Sequence, residues 1–244
     1  MAEFLTLEPE TRIVWASAKA RAEWEPKVAL AAQGYLAAER STVASGARQA
    51  GQLWLGVRDY MEFLPWAMEH GLTVRVVRWT GEVGGFTHSG YPEGDSMVVV
   101  AFGRDLKQPY EALFGYPECC QEFFAREFPN DPDPIPAWGA ENVGPNLRIL
   151  TNPLLRYIGA RAVPHIPCGG GCQETEQLGE VFLAHMPPEC REPVRELLAL
   201  AATWDRYRGV AIVTTPHFKV IATSTARPVH EIVSIGPWVT GECR

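Results

Sequence analysis

Four of the six cysteines in this chain stand in two tight groups. They are Gly115-Tyr116-Pro117-Glu118-Cys119-Cys120 and His165-Ile166-Pro167-Cys168-Gly169-Gly170-Gly171-Cys172. Any fold for this sequence must give those sulfurs an environment. Both groups lead into segments with helical spacing. After the first, Phe123, Phe124 and Phe128 are expected on one helical face. After the second, Leu178, Val181, Phe182 and Met186 recur at helical intervals between Gln173 and Met186. Pro117 suits a first helical position, where its missing N–H costs nothing. This places Cys119 and Cys120 in a first turn and Cys172 at a helix N-terminus. Unpaired N–H groups and the positive end of the helix dipole favour thiolates at such positions.

Four thiols on two helix starts, with His165 three residues before Cys168, make a metal-binding set. Neighbouring cysteines fit one tetrahedral ion awkwardly, because a zinc knuckle normally spaces its pair by two residues. A cluster of several irons offers separate attachment points. An iron–sulfur cluster of the [4Fe–4S] kind is therefore the favoured expectation. Zinc is the alternative, with His165 as a fourth ligand or as a group behind the ligands. A redox-active dithiol, or cysteines that merely face the core, would use the same residues.

The two motifs, Gly-Tyr-Pro-x-Cys-Cys-x-x-Phe-Phe and His-x-Pro-Cys-x3-Cys, resemble those of a prokaryotic family without an assigned function. The resemblance spans Gly115 to Cys172 and extends to the hairpin near the C-terminus. It implies that the two cysteine groups belong together, and it implies no activity.

Composition narrows the function classes. A net charge of −7 argues against a nucleic-acid partner, which needs a positive surface. No run of about twenty apolar residues is present to span a bilayer, and Met1-Ala2-Glu3-Phe4 does not begin a secretory leader. The expectation is a cytoplasmic protein, where structural disulfides are disfavoured and paired cysteines turn to metal or redox chemistry. Cys190 and Cys243 stand alone and are read as structural.

Along the chain, Pro9–Ala22 reads as a helix and Pro26 as the start of another, with Trp24, Val28, Ala31, Ala32, Tyr35 and Leu36 on one face. Residues 52–57, 59–71 and 72–79 read as strand, helix and strand, a βαβ unit with a parallel pair. Asp59 is the expected cap of that helix. A glycine-rich loop from Thr80 to Ser96 carries His88. Residues 97–102 form a doubly covered strand, and Asp105–Phe114 a short helix. Asn130–Pro136 is irregular, and Glu189–Ala202 is helical. Residues 209–214 and 218–223 make a hairpin around Thr215-Pro216-His217, and 231–235 add a strand. The expected fold is mixed α/β: a βαβ-containing sheet flanked by helices, with a helical N-terminal arm and a C-terminal β-hairpin. The expected division is a helical arm over 1–45 and a single metal-binding domain over 46–244. The arm offers a surface for a homodimer.

Arg148, Asn152 and Arg156 lie between the cysteine groups and are candidates to hold a small anionic substrate, since guanidinium forks suit carboxylates and phosphates. With a cluster beside them, the expected activity is that of a lyase or a sulfur-handling enzyme. The alternative is a structural zinc protein or binding module without catalysis. His-x-Glu with Pro-Cys-x-x-Cys, His-Glu-x-x-His, Gly-x-Ser-x-Gly and the kinase set are all absent from the sequence.

Overall fold

The computed structural model describes residues 11–80, 97–107, 113–128, 135–140, 147–207, 210–223 and 231–235. The chain divides into two compact units. Residues 1–38 and 116–244 form one, and Glu39–Gly115 forms the other. This differs from the expected arm over 1–45 and single domain over 46–244, because the chain leaves the first unit near Ala38 and returns to it at Tyr116.

The first described element of the first unit is a strand rather than the expected helix. Arg-Ile-Val-Trp, rich in β-branched and aromatic side chains, forms β1 (Arg12–Trp15), which pairs antiparallel with Phe218–Ile221. One helix follows, α1 (Ala18–Ala44), of which the residues to Ala38 belong to this unit. The Ser17 hydroxyl accepts the Ala20 N–H at 3.0 Å and caps it. The helix continues through Pro26. The lost N–H costs about 3 kcal/mol, but burying Trp24, Val28 and Tyr35 returns about 1.5–3 kcal/mol apiece. These residues and Ala31 sit in the unit's main apolar cluster, so the face expected to serve a homodimer is spent inside its own fold.

Next come α3 (Glu118–Glu127), α4 (Ile135–Ala140), two 3-10 turns at Ile149–Thr151 and Arg156–Ile158, α5 (Gln173–His185) and α6 (Pro188–Leu198). Pro136 is thus helical rather than part of an irregular loop. The unit closes with β5 (Ala202–Tyr207), β6 (Val210–Thr214), β7 (Phe218–Thr223) and β8 (Glu231–Ile235), giving a five-stranded antiparallel sheet ordered β1-β7-β6-β5-β8. The β6–β7 hairpin forms as expected, its turn fastened by Thr215, whose N–H donates to the Phe218 carbonyl at 2.9 Å. The helix expected to reach Ala202 stops at Leu198, and Ala202–Tyr207 is a strand in a stretch to which no element was assigned. Its inward residues are Ala202, Trp204 and a fully buried Arg206, and the charge hid the alternation. Trp204 donates its indole N–H to the Tyr157 hydroxyl at 3.0 Å inside the core.

In the second unit, β2 (Ala50–Gly56), α2 (Val57–Glu69), β3 (Thr73–Thr80) and β4 (Met97–Gly103) match the expected strand, helix, strand and strand. The pairing does not match. Both β2 and β3 lie antiparallel to β4, which separates them. The βαβ unit is therefore split: its strands run parallel to each other without being hydrogen-bonded neighbours. Val98, Val100 and Phe102 are fully buried on that middle strand. Asp59 lies in the first turn of α2 without capping it by a side-chain hydrogen bond, and favours the helix through the dipole alone. Asp105–Lys107 is not helical. The rest of that expected helix from 108 to 112, the loop at 81–96 with His88, and Cys243 lie outside the described residues. No described helix is long and apolar enough to cross a membrane.

Candidate metal centre

The two cysteine groups meet within the first unit. Pro117 and Cys172 occupy the N-cap positions of α3 and α5. Cys119 and Cys120 fall in the first turn of α3, so their side chains leave the helix at its N-terminal end. Phe123 from the same helix anchors the core, while Phe124 and Phe128 stack on each other at the surface, 4.6 Å between centroids. The three aromatics do not share a face, because adjacent positions 123 and 124 point about 100° apart on a helix.

The loop carrying Cys168 is held from two sides. The Arg148 N–H donates to the Gly170 carbonyl at 2.8 Å, and the Thr151 hydroxyl does so at 2.7 Å. The Cys168 N–H points at the Cys120 sulfur, 3.3 Å away. The Sγ atoms of Cys119, Cys120, Cys168 and Cys172 all lie within 4.8 Å of one another. The Cys119–Cys172 and Cys120–Cys172 separations are 3.7 Å, and the adjacent pair Cys119–Cys120 is 3.9 Å apart. Cys120 and Cys172 are buried, Cys119 and Cys168 half-buried. The set is a possible metal site: four soft sulfur donors converge on one point.

No family model, curated protein or solved structure matches this chain.

His165 stands behind the sulfurs rather than among them. Its Nε2 lies 3.0 Å from the Thr175 hydroxyl, which in turn lies 3.2 Å from the Cys120 sulfur, and its ring stacks on Tyr116 at 5.1 Å. A hydroxyl has one proton, so when Thr175 donates to a Cys120 thiolate it accepts from a His165 Nε2–H. Thr175 is the site residue that the sequence reading missed. Its only signal was position, the third residue after Cys172 and thus one turn into α5, on the side facing the N-cap.

Proton affinities follow from crowding four thiols together. Burial pushes Cys120 up to about 12, although the Thr175 hydroxyl and Cys168 N–H pull the other way. Burial also raises Cys119 and Cys168, and neighbouring sulfur charge adds to the rise at Cys168. At Cys172 burial acts in the same upward sense, but hydrogen bonds from the Thr175 side chain and backbone and from Cys119 and Cys168 outweigh it. Its thiol therefore falls below the ordinary value. Bringing all four to the thiolate form needs a cation to offset the charge.

The residues named as anion binders are engaged elsewhere. Arg148 is ion-paired with Glu176. Asn152 is buried, its Nδ2 donating to the Leu198 carbonyl at 2.8 Å and its Oδ1 accepting the Leu154 N–H at 3.0 Å. Arg156 lies over the Tyr157 ring, 4.6 Å from its centroid.

Proposed function

We propose that the four cysteines hold one zinc ion in a closed tetrathiolate site, and that this ion staples the start of α3 to the Cys168–Cys172 loop and the start of α5. The observation that carries this reading is the sulfur spacing. Four sulfurs on one tetrahedral ion with bonds of about 2.3 Å stand about 3.8 Å apart. The separations among Cys119, Cys120 and Cys172 are 3.7, 3.7 and 3.9 Å, and Cys168 completes the set with all four sulfurs within 4.8 Å of one another. A cluster of several irons instead puts each cysteine on a different metal, facing outward, which spreads the sulfurs by the width of the cluster. The spacing thus supports zinc over the iron–sulfur expectation. It also answers the objection raised by adjacent cysteines, because the first turn of α3 lets both side chains turn to the same point.

With all four positions filled by protein, zinc keeps no place for water or substrate, which is the arrangement of structural rather than catalytic sites. The engagement of Arg148, Asn152 and Arg156 supports the same conclusion. We therefore read the chain as a structural zinc protein whose activity, if any, lies away from this ion. Metal analysis of protein purified without added metal tests the reading. The expected result is one zinc per chain in a colourless preparation, with loss of binding in Cys120→Ala and Cys172→Ala. Iron with acid-labile sulfide in a brown preparation would overturn it.

A further inference from the structure

The four sulfurs are not equivalent, and the asymmetry says how the site would respond to oxidants. Cys120 and Cys172 are buried and take hydrogen bonds from outside the cluster. Cys120 faces the Thr175 hydroxyl at 3.2 Å and the Cys168 N–H at 3.3 Å, and Cys172 is served by the Thr175 backbone and lies 3.6 Å from the Glu174 carboxylate. Cys119 and Cys168 are half-buried, and among the described residues their sulfurs meet only other cysteines of the set. A hydrogen bond to a thiolate draws density from the sulfur and dulls it as a nucleophile, and burial keeps reagents out. With all four sulfurs held as thiolates on the ion, oxidation follows exposure and the lack of a dulling hydrogen bond from outside the set. Both factors select the same pair.

We propose that Cys119 and Cys168 form the oxidation point of this site, where a hydroperoxide links them as a disulfide and expels the zinc. The proposal rests on the zinc reading above. In the first step the Cys119 or Cys168 thiolate attacks a peroxide oxygen; the O–O bond breaks, a sulfenic acid forms, and the departing hydroxide takes a proton to become water. In the second, the other thiolate attacks the sulfenic sulfur; the S–S bond forms and hydroxide leaves, again protonated to water. Two thiolates, one hydrogen peroxide and two protons give one disulfide and two waters, the sulfurs losing two electrons and the peroxide gaining them. Zinc keeps its charge throughout and departs because two of its four ligands are consumed. The alternatives fit less well. A Cys119–Cys120 disulfide would close a strained ring between adjacent residues inside a helix. A link to Cys172 would draw on the sulfur shielded by Thr175.

The test uses full-length protein whose zinc content has first been measured. It is treated with one equivalent of hydrogen peroxide, and three signals are read: zinc captured by a chromogenic chelator, sulfenic acid trapped by dimedone, and disulfides mapped by non-reducing peptide mass spectrometry. The expected outcome is one zinc lost per peroxide consumed, dimedone severalfold more abundant on Cys119 and Cys168 than on Cys120 and Cys172, and a Cys119–Cys168 disulfide as the main product. Thr175→Val, which removes the shielding hydroxyl, should spread the dimedone label to Cys120. Zinc retained after peroxide is consumed, a main disulfide through Cys120 or Cys172, or a label pattern unmoved by Thr175→Val would each overturn the inference while leaving the zinc assignment intact. Protein that contains no zinc before peroxide is added overturns the assignment and the inference together.

Discussion

Gly34 and Cys190 show how closely the helices of the first unit are packed. A Cβ built on Gly34 would stand 2.6 Å from the Cys190 Cβ, closer than two carbons can approach. Replacing a mid-helix glycine by alanine normally adds about 1 kcal/mol of helix propensity, but overpacking costs about 1–3 kcal/mol, and at this distance the clash wins. Gly34→Ala should lower the urea midpoint, and Cys190→Ala should not rescue it, because the Cβ that collides remains. Cys190 itself was read as structural, and it is buried. Burial, helped by Glu189, holds its thiol above the ordinary range. In the unfolded chain a cysteine ionises near pH ~8.5, so the stabilisation is complete below that pH and is lost as the pH rises through the higher folded value. Wild-type protein should therefore lose more stability between neutral and strongly alkaline pH than Cys190→Ala does, measured as the shift in urea midpoint with pH. Native Cys190 should also resist alkylation until denaturant is added. The burial of a lone cysteine was readable from its residue type; its partner Gly34 was not, because nothing in a helix's own sequence names what crosses it.

At the level of helices and strands, the periodic signals served well wherever the buried face was apolar. Helices α2, α3 and α5 lie where spacing placed them, and both helix starts carry their cysteines as expected. Other elements escaped that reading for identifiable reasons. β1 is short and amphipathic only in its tertiary setting beside β7, and β5 carries a buried arginine that breaks the apolar alternation. If zinc joins α3 to α5, chelation should loosen those two helix starts first. Amide hydrogen exchange should show protection lost at Glu118–Phe123 and at the Cys168–Glu176 stretch on removal of the metal, while β6 and β7 keep theirs. Equal loss across the whole unit would mean the ion holds the fold rather than a joint within it.

Across the molecule, the chain passes from the first unit to the second near residue 38 and returns near residue 116. The second carries a buried ion pair: Arg48 lies 2.8 Å from Glu39, Glu39 also accepts the Gln52 N–H at 2.9 Å, and Arg48 donates to the Phe114 carbonyl at 3.2 Å. Removing one partner strands a charge in the interior and costs about 3–5 kcal/mol. Glu39→Ala should destabilise by that order in denaturant melts, and exchange should quicken first in β2, β3 and β4. Chelation should act on the other unit. The two perturbations thus separate the units experimentally, and exchange that rises equally everywhere under both would refute the division.

Local chemistry along the chain was enough to establish a mixed α/β protein, the position of most of its helices and strands, and the four cysteines that belong together. Those properties come from neighbours within a few residues, where periodicity, caps and turn residues act. Which strands pair, that β4 separates β2 from β3, and that His165 meets the Thr175 hydroxyl facing the Cys120 sulfur depend on contacts between distant segments. The spacing of the sulfurs is of the same kind. It is fixed by two helix starts meeting across more than forty residues of intervening chain, and only their packing in three dimensions sets the distances from which a choice between one ion and a cluster can be argued.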